Sequence, residues 1–165
     1  MASATAVAWT EPDTLCDPAC GDGSVVRYAY QLHPFSSAIL GDMNERELSL
    51  IPDMPCPVTI HNASLFSTLN KIGQVDTVIL TEILEHLEDP DLALRKAIRH
   101  SRWLVASSPI IPEGVEDPTP EHLWGFDMDG YRQMIENAGW TPMARSEMRV
   151  LEHPYNFQIW IARAP

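Results

Sequence analysis

Short apolar runs and longer stretches of helical spacing alternate along nearly the whole chain. Leu15 and Cys16 lead into a glycine turn, and Val25, Val26, Ala29 and Leu32 follow it at helical spacing, with Ser24 as the expected cap. Ser37 to Asp42 reads as a second strand, Glu45 to Ile51 as a short helix, Val58 to Asn62 as a third strand and Leu65 to Asn70 as a weak helix. Val75 to Leu80 is apolar at almost every position, as a strand buried on both faces requires. Asp89 and Pro90 are a capping acid and a first-turn proline, and Leu94, Ala97 and Ile98 give the helix that follows its apolar stripe. Trp103 to Ala106 is a fifth strand. Asp127 caps a further helix buried through Tyr131, Met134, Ile135 and Ala138 and closed by Gly139, and Thr141 to Leu151 and Asn156 to Ala162 finish the chain as strands.

The order βαβαβαβαβαββ predicts an α/β fold: a mostly parallel sheet, helices on both faces, and an antiparallel hairpin at one edge. No repeat or internal boundary interrupts residues 1–165, so a single domain is expected, with residues 1–13 as a flexible lead. Between Pro109 and Pro120 four prolines in twelve residues rule out regular structure. Residues 107–126 are therefore expected to form a long loop at the active site.

Composition narrows the function. At 165 residues and 45% hydrophobic content the chain can bury a core without staples. No apolar stretch approaches the roughly 20 residues that span a bilayer, and the N-terminus lacks the basic region of a secretory signal. Three cysteines, Cys16, Cys20 and Cys56, fit a reducing, cytoplasmic setting and read as structural. With 23 acidic against 11 basic residues the net charge is −12, a field that repels nucleic acid and favours a small-molecule acceptor.

The chemistry begins at Asp17-Pro-Ala-Cys-Gly-Asp-Gly23, nineteen residues before Asp42. A strand, a Gly-x-Gly turn and a helix bring backbone N–H groups to a nucleotide-like ligand, and an acid on the next strand can hold a ribose diol. A dinucleotide site wants a third glycine at position 26, which is Val26, and the Gly-Lys-Ser/Thr phosphate loop is missing.

These segments resemble the class I S-adenosylmethionine-dependent methyltransferases. The resemblance runs through Asp42, His61-Asn-Ala-Ser-Leu65, Thr81-Glu-Ile-Leu-Glu-His-Leu87 and His122-Leu-Trp-Gly-Phe126 with the helix ending Ala-Gly-Trp140. It departs at Ala19, where a glycine is usual. It implies a Rossmann-like seven-stranded sheet with S-adenosylmethionine as cofactor. Asp17, Ala19, Gly21 and Gly23 would surround the methionine portion and Asp42 the ribose, with Met43 beside it. Ser64 and Leu65 would meet the adenine, and Thr81 and Glu82 would end the fourth strand at the transfer site.

Glu82, Glu85 and His86 fall at i, i+3 and i+4 and are expected to point into one region, joined by His122. In one reading His86 or His122 is a general base for O-methylation, with Glu85 beside it. In another the set resembles the metal-binding residues of small-RNA 3′-terminal 2′-O-methyltransferases; a divalent metal is the less favoured reading. A third is a non-catalytic module that binds cofactor or a partner protein as a regulator. The DNA amino-methyltransferase turn is absent, since Thr81 to Leu84 stand in its place. His33, His61, His100 and His153 are expected at the surface or in packing, and the five tryptophans mostly in the core, Trp124 excepted. About a dozen residues precede the first strand. The expectation is that the acceptor lid comes from the 109–126 loop, from a homodimer or other partner chain, or is nearly absent.

Overall fold

In the computed structural model, residues 1–150 and 154–165 are described. The strands are β1 (Thr14–Asp17), β2 (Ser37–Asp42), β3 (Val58–Asn62), β4 (Val75–Thr81), β5 (Ser101–Pro109), β6 (Thr141–Arg149) and β7 (Asn156–Arg163). They form one seven-stranded sheet in the order β3-β2-β1-β4-β5-β7-β6, parallel except for β7, which is antiparallel to both neighbours. The chain reverses direction across the sheet between β1 and β4. That switch point opens a crevice at the carboxyl ends of the strands.

Six helices cover the two faces: α1 (Ala2–Trp9), α2 (Ser24–Leu32), α3 (Glu45–Leu48), α4 (Leu65–Leu69), α5 (Pro90–Ala97) and α6 (Met128–Asn137). The period-two alternation of the strands divides the core accordingly. Leu15, Ile79 and Val105 pack with Val26 and Ala29 of α2 on one face. Cys16, Val78, Leu80, Leu104 and Ala106 pack with Leu69, Leu94 and Ile135 on the other.

Residues 1–13 are not a flexible lead. Ala2–Trp9 is helical, Ala4 and Val7 are fully buried, and the Thr10 hydroxyl bonds that of Thr77 on β4 at 2.7 Å. The alanines give the helix its propensity, and the three-residue spacing of Ala4 and Val7 puts both on the sheet side. Ser24 is not the cap of α2: Gly23 holds that place, and the Ser24 hydroxyl bonds Asp22 instead. The helix expected to Ile51 stops at Leu48, because Pro52 biases Ile51 toward extended backbone. β5 runs longer than its apolar centre because Ser107 and Ser108 are buried within it.

Only Trp140 and Trp160 are buried; Trp103 is half-buried, and Trp9 lies edge-on against it with ring centroids 5.7 Å apart. His33, His61 and His100 are half-buried, whereas His153 and Leu151 lie outside the described residues. Cys16 and Cys20 are buried free thiols, and Cys56 is half-buried. Among the described residues no helix is long and apolar enough to cross a membrane.

Candidate active site

β1 delivers Asp17 to the head of the crevice and leaves it 2% exposed. Its Oδ1 accepts the Ala19 N–H at 3.3 Å. Burial pushes its pKa up to about 7, the Ala19 bond opposes this, and the Asp42 charge adds to it. The turn then folds back on β2. Gly21 (φ +53°) donates its N–H to Asp42 Oδ2 at 2.9 Å, and Gly23 (φ +73°) opens α2. Asp42 Oδ1 accepts the Asn44 N–H at 2.8 Å. The acid is thus held by two backbone donors, one from the turn after β1 and one from the turn after β2. Ala19 has no positive φ, so an alanine serves where the resemblance expects a glycine.

A cavity of about 350 Å³ lies beneath α1, away from this crevice. The crevice has its own, of about 330 Å³, lined by Pro18, Ala19, Asp42, Met43, Ser64, Leu65, Phe66, Ile83, His86, Leu87 and Glu88. Ala19, Asp42, Met43, Ser64 and Leu65 were expected there from sequence; Phe66, Ile83 and Leu87 were not. Ser64 caps α4, accepting the Ser67 N–H at 3.2 Å, so its hydroxyl has a structural role as well. Gly41 was also missed. A Cβ there would come within 2.5 Å of Thr68 Oγ1, so the glycine lets α4 close against β2.

The cavity contains carboxylates and apolar surface but no lysine or arginine, which fits a ligand with hydroxyls, an ammonium and a flat base. It does not fit a pyrophosphate. S-adenosylmethionine meets that description.

β4 ends at Thr81, and Glu82 turns the chain with a left-handed φ of +53°. For a residue with a Cβ that costs about 1–2 kcal/mol. It is held by the Glu82 N–H to the Ser107 carbonyl (3.1 Å) and by the Ser107 hydroxyl to Glu82 Oε1 (2.5 Å). Glu82 as a residue is exposed, yet its carboxyl lies back against β5, and desolvation pushes its pKa up to about 7. Because that face is open to water, the shift carries little free energy.

The turn over Leu84–His86 buries Glu85 to 1% exposure and leaves both its carboxylate oxygens without a hydrogen-bond partner. Burial pushes its pKa up to about 8, and the Glu82 charge adds to this.

The proline-rich loop docks on this turn. Leu123 N–H and Trp124 N–H reach the Glu85 carbonyl at 2.8 and 3.3 Å, and the Trp124 indole N–H reaches the Leu87 carbonyl at 2.8 Å. The loop thereby brings the His122 ring to 4.8 Å from the His86 ring, edge to face. A Glu85 oxygen and one nitrogen from each ring all lie within 4.8 Å of one another, a set that could hold a divalent cation. Of the residues expected together, Glu85, His86 and His122 meet; the Glu82 carboxyl is committed to Ser107.

Comparison with known proteins agrees with the geometry. Residues 16–102 match the methyltransferase domain family, and the chain belongs to it. With its sheet order and switch-point site it is a class I S-adenosylmethionine-dependent methyltransferase. Among solved structures, a chain from the complex between the Haloferax volcanii Trm112 methyltransferase activator and a methyltransferase superposes with a TM-score of 0.75. It is 14% identical, over 93% of this chain and 83% of that one. The magnesium protoporphyrin IX methyltransferase of Synechocystis PCC 6803 with bound S-adenosylmethionine gives 0.73 at 18% identity, over 99% and 78%. The N-terminal domain of EvdMO1 with S-adenosylhomocysteine and D-fucose gives 0.69 at 17%, over 99% and 83%. No curated protein matches this chain significantly in sequence.

Proposed function

We propose that the enzyme methylates a hydroxyl of a small-molecule acceptor, with His122 or His86 taking the proton. When bound, S-adenosylmethionine supplies a methyl group on a positively charged sulfur. The acceptor oxygen would form the new O–CH₃ bond as the S–CH₃ bond breaks to give a neutral thioether, and the hydroxyl proton would pass to imidazole. The chain's own contribution is alignment and a base. Asp42 and Asp17 anchor the cofactor, and Leu65 and Phe66 offer it an apolar wall.

The observation that carries the reading is His86. It lines the crevice cavity and faces His122 on the loop side, which supports a base between the bound cofactor and its acceptor. The loop side has its own cavity of about 550 Å³, with Trp124 and Phe126 among Asp117, Asp127 and Glu113. Such a pocket favours a polar or cationic acceptor over an anionic one. The net charge of −12 weighs against nucleic acid, and the three free cysteines support a cytoplasmic setting. A homodimer or an activator-like partner, as in the Haloferax complex, would add further cover to the loop.

A second reading rests on the three convergent groups. Two imidazoles and an unpartnered buried carboxylate would also bind a divalent cation that orients the acceptor hydroxyl. The test is release of S-adenosylhomocysteine with a panel of catechol, phenol, pyranose and hydroxy-acid acceptors, before and after chelation. Turnover that survives chelation and is lost in His122→Ala supports the base. Loss on chelation, restored by Mg²⁺ or Mn²⁺, supports the cation. No S-adenosylmethionine binding at all would leave only the non-catalytic module.

A further inference from the structure

The loop does more than carry His122 to the site; it also sets an oxygen acceptor against Nδ1 of each imidazole. Asp117 lies five residues before His122, and its Oδ2 is 2.7 Å from His122 Nδ1, with both side chains largely buried at 14% and 6% exposure. Its other oxygen, Oδ1, accepts the Thr119 N–H at 2.9 Å, and the Thr119 hydroxyl pairs with the Tyr155 hydroxyl at 3.0 Å. An ionised carboxylate only accepts hydrogen bonds, so the proton of neutral His122 sits on Nδ1 and the lone pair on Nε2.

The same logic applies to His86, whose Nδ1 is 3.1 Å from the Glu121 carbonyl oxygen, an atom that also only accepts. One stretch, Asp117 to His122, therefore supplies the partner for both rings. Among the described residues, the other groups near His122 are His86, Glu85 and Glu82 from the β4 end and Tyr155 just before β7.

We propose that Asp117 is a positioning residue that holds His122 as the Nδ1–H tautomer and so leaves Nε2 as the free lone pair at the acceptor site. The inference deepens the reading of His122 above, and the same lone pair is what cation ligation would need. Replacing the acid with its amide isostere gives a specific outcome. The Thr119 N–H keeps the amide oxygen in the Oδ1 place, so the amide NH₂ faces His122 Nδ1. A donor there forces the lone pair onto Nδ1 and the proton onto Nε2. Asp117→Asn therefore inverts the tautomer, while Asp117→Ala only releases it.

The test is the long-range ¹H–¹⁵N spectrum of the histidine rings in the full chain at pH 8, with chelator present. His122 is expected as Nδ1–H in the wild type, as Nε2–H in Asp117→Asn, and as a mixture in Asp117→Ala. A wild-type His122 in the Nε2–H form, or an unchanged tautomer in Asp117→Asn, overturns the proposal. A purely structural role would make alanine the more disruptive change and would not invert the ring. Calorimetry with S-adenosylmethionine on the same samples is expected to agree within about twofold. A wild type that shows the expected tautomer but fails to bind S-adenosylmethionine would count against the methyltransferase reading alone.

Discussion

Glu85 is 1% exposed with no partner for either oxygen, and its pKa stands at about 8 against an ordinary 4.5. In the folded protein the neutral acid is therefore favoured. The stability this contributes is fully present below about pH 4.5 and is lost as pH rises toward 8, because the unfolded chain releases the proton first. At about 1.4 kcal/mol per tenfold change in proton affinity, the loss is on the order of 2–5 kcal/mol.

Glu85→Gln replaces the carboxyl with a neutral group of the same shape. Near pH 5 variant and wild type should unfold at similar urea concentrations. At pH 9, with chelator present, the variant should be the more stable by on the order of 2–5 kcal/mol, or several degrees in melting temperature for a chain of this size. Asp17 also titrates abnormally, but it is common to both proteins and cancels in the difference. A variant whose advantage does not change between pH 5 and pH 9 would refute the burial argument. Added Mn²⁺ that restores the wild type at pH 9, and not the variant, would identify a cation as the missing partner.

Three further outcomes follow from named contacts. Gly23→Ala should cost more than Gly21→Ala in thermal unfolding, by about 1 kcal/mol. Both glycines have positive φ, but a Cβ at Gly23 would lie 3.3 Å from Ile51 while one at Gly21 meets open space; equal losses would refute this. Val7→Asp should destabilise the fold by about 3–5 kcal/mol, since a charge would replace a fully buried side chain of α1; an unchanged melting temperature would mean that α1 is not part of the core. With the Asp17 pKa raised to about 7 by burial, S-adenosylmethionine affinity should rise up to about tenfold from pH 6 to pH 8 as the carboxylate forms. Calorimetry should find that dependence gone in Asp17→Asn.

Most of the sheet was readable because each strand carries its burial pattern locally: Val75 to Leu80 is apolar throughout and Asp89-Pro90 punctuates the next helix. α1 escaped notice because an alanine-rich run shows little contrast between its faces, and what orders it is the distant surface of α2, β5 and β7. The turn at the head of the crevice was legible for a similar local reason, since Asp17, Gly21, Gly23 and Asp42 sit at fixed places relative to strand ends. The other features depend on contacts distant in sequence. Gly41 matters only through Thr68, the left-handed Glu82 only through Ser107 on β5, and Phe66, Ile83 and Leu87 only through the closure of the crevice. Asp117 lies in a proline-rich loop without periodicity. Its bond to His122 could not be told there from any other acid near a histidine.

The central claim is that Asp42 stands at the S-adenosylmethionine site of an active methyltransferase. Each hydrogen bond to a charged acceptor is worth about 1.5–3 kcal/mol, so losing the Asp42 carboxylate should cost about 3 kcal/mol of binding, or roughly a hundredfold in Kd. Calorimetry of the wild type and Asp42→Ala with S-adenosylmethionine and S-adenosylhomocysteine tests this directly. The account predicts one site for each ligand in the wild type and binding weakened about a hundredfold in the variant. Failure of the wild type to bind either ligand, or equal affinity in the two proteins, would contradict it.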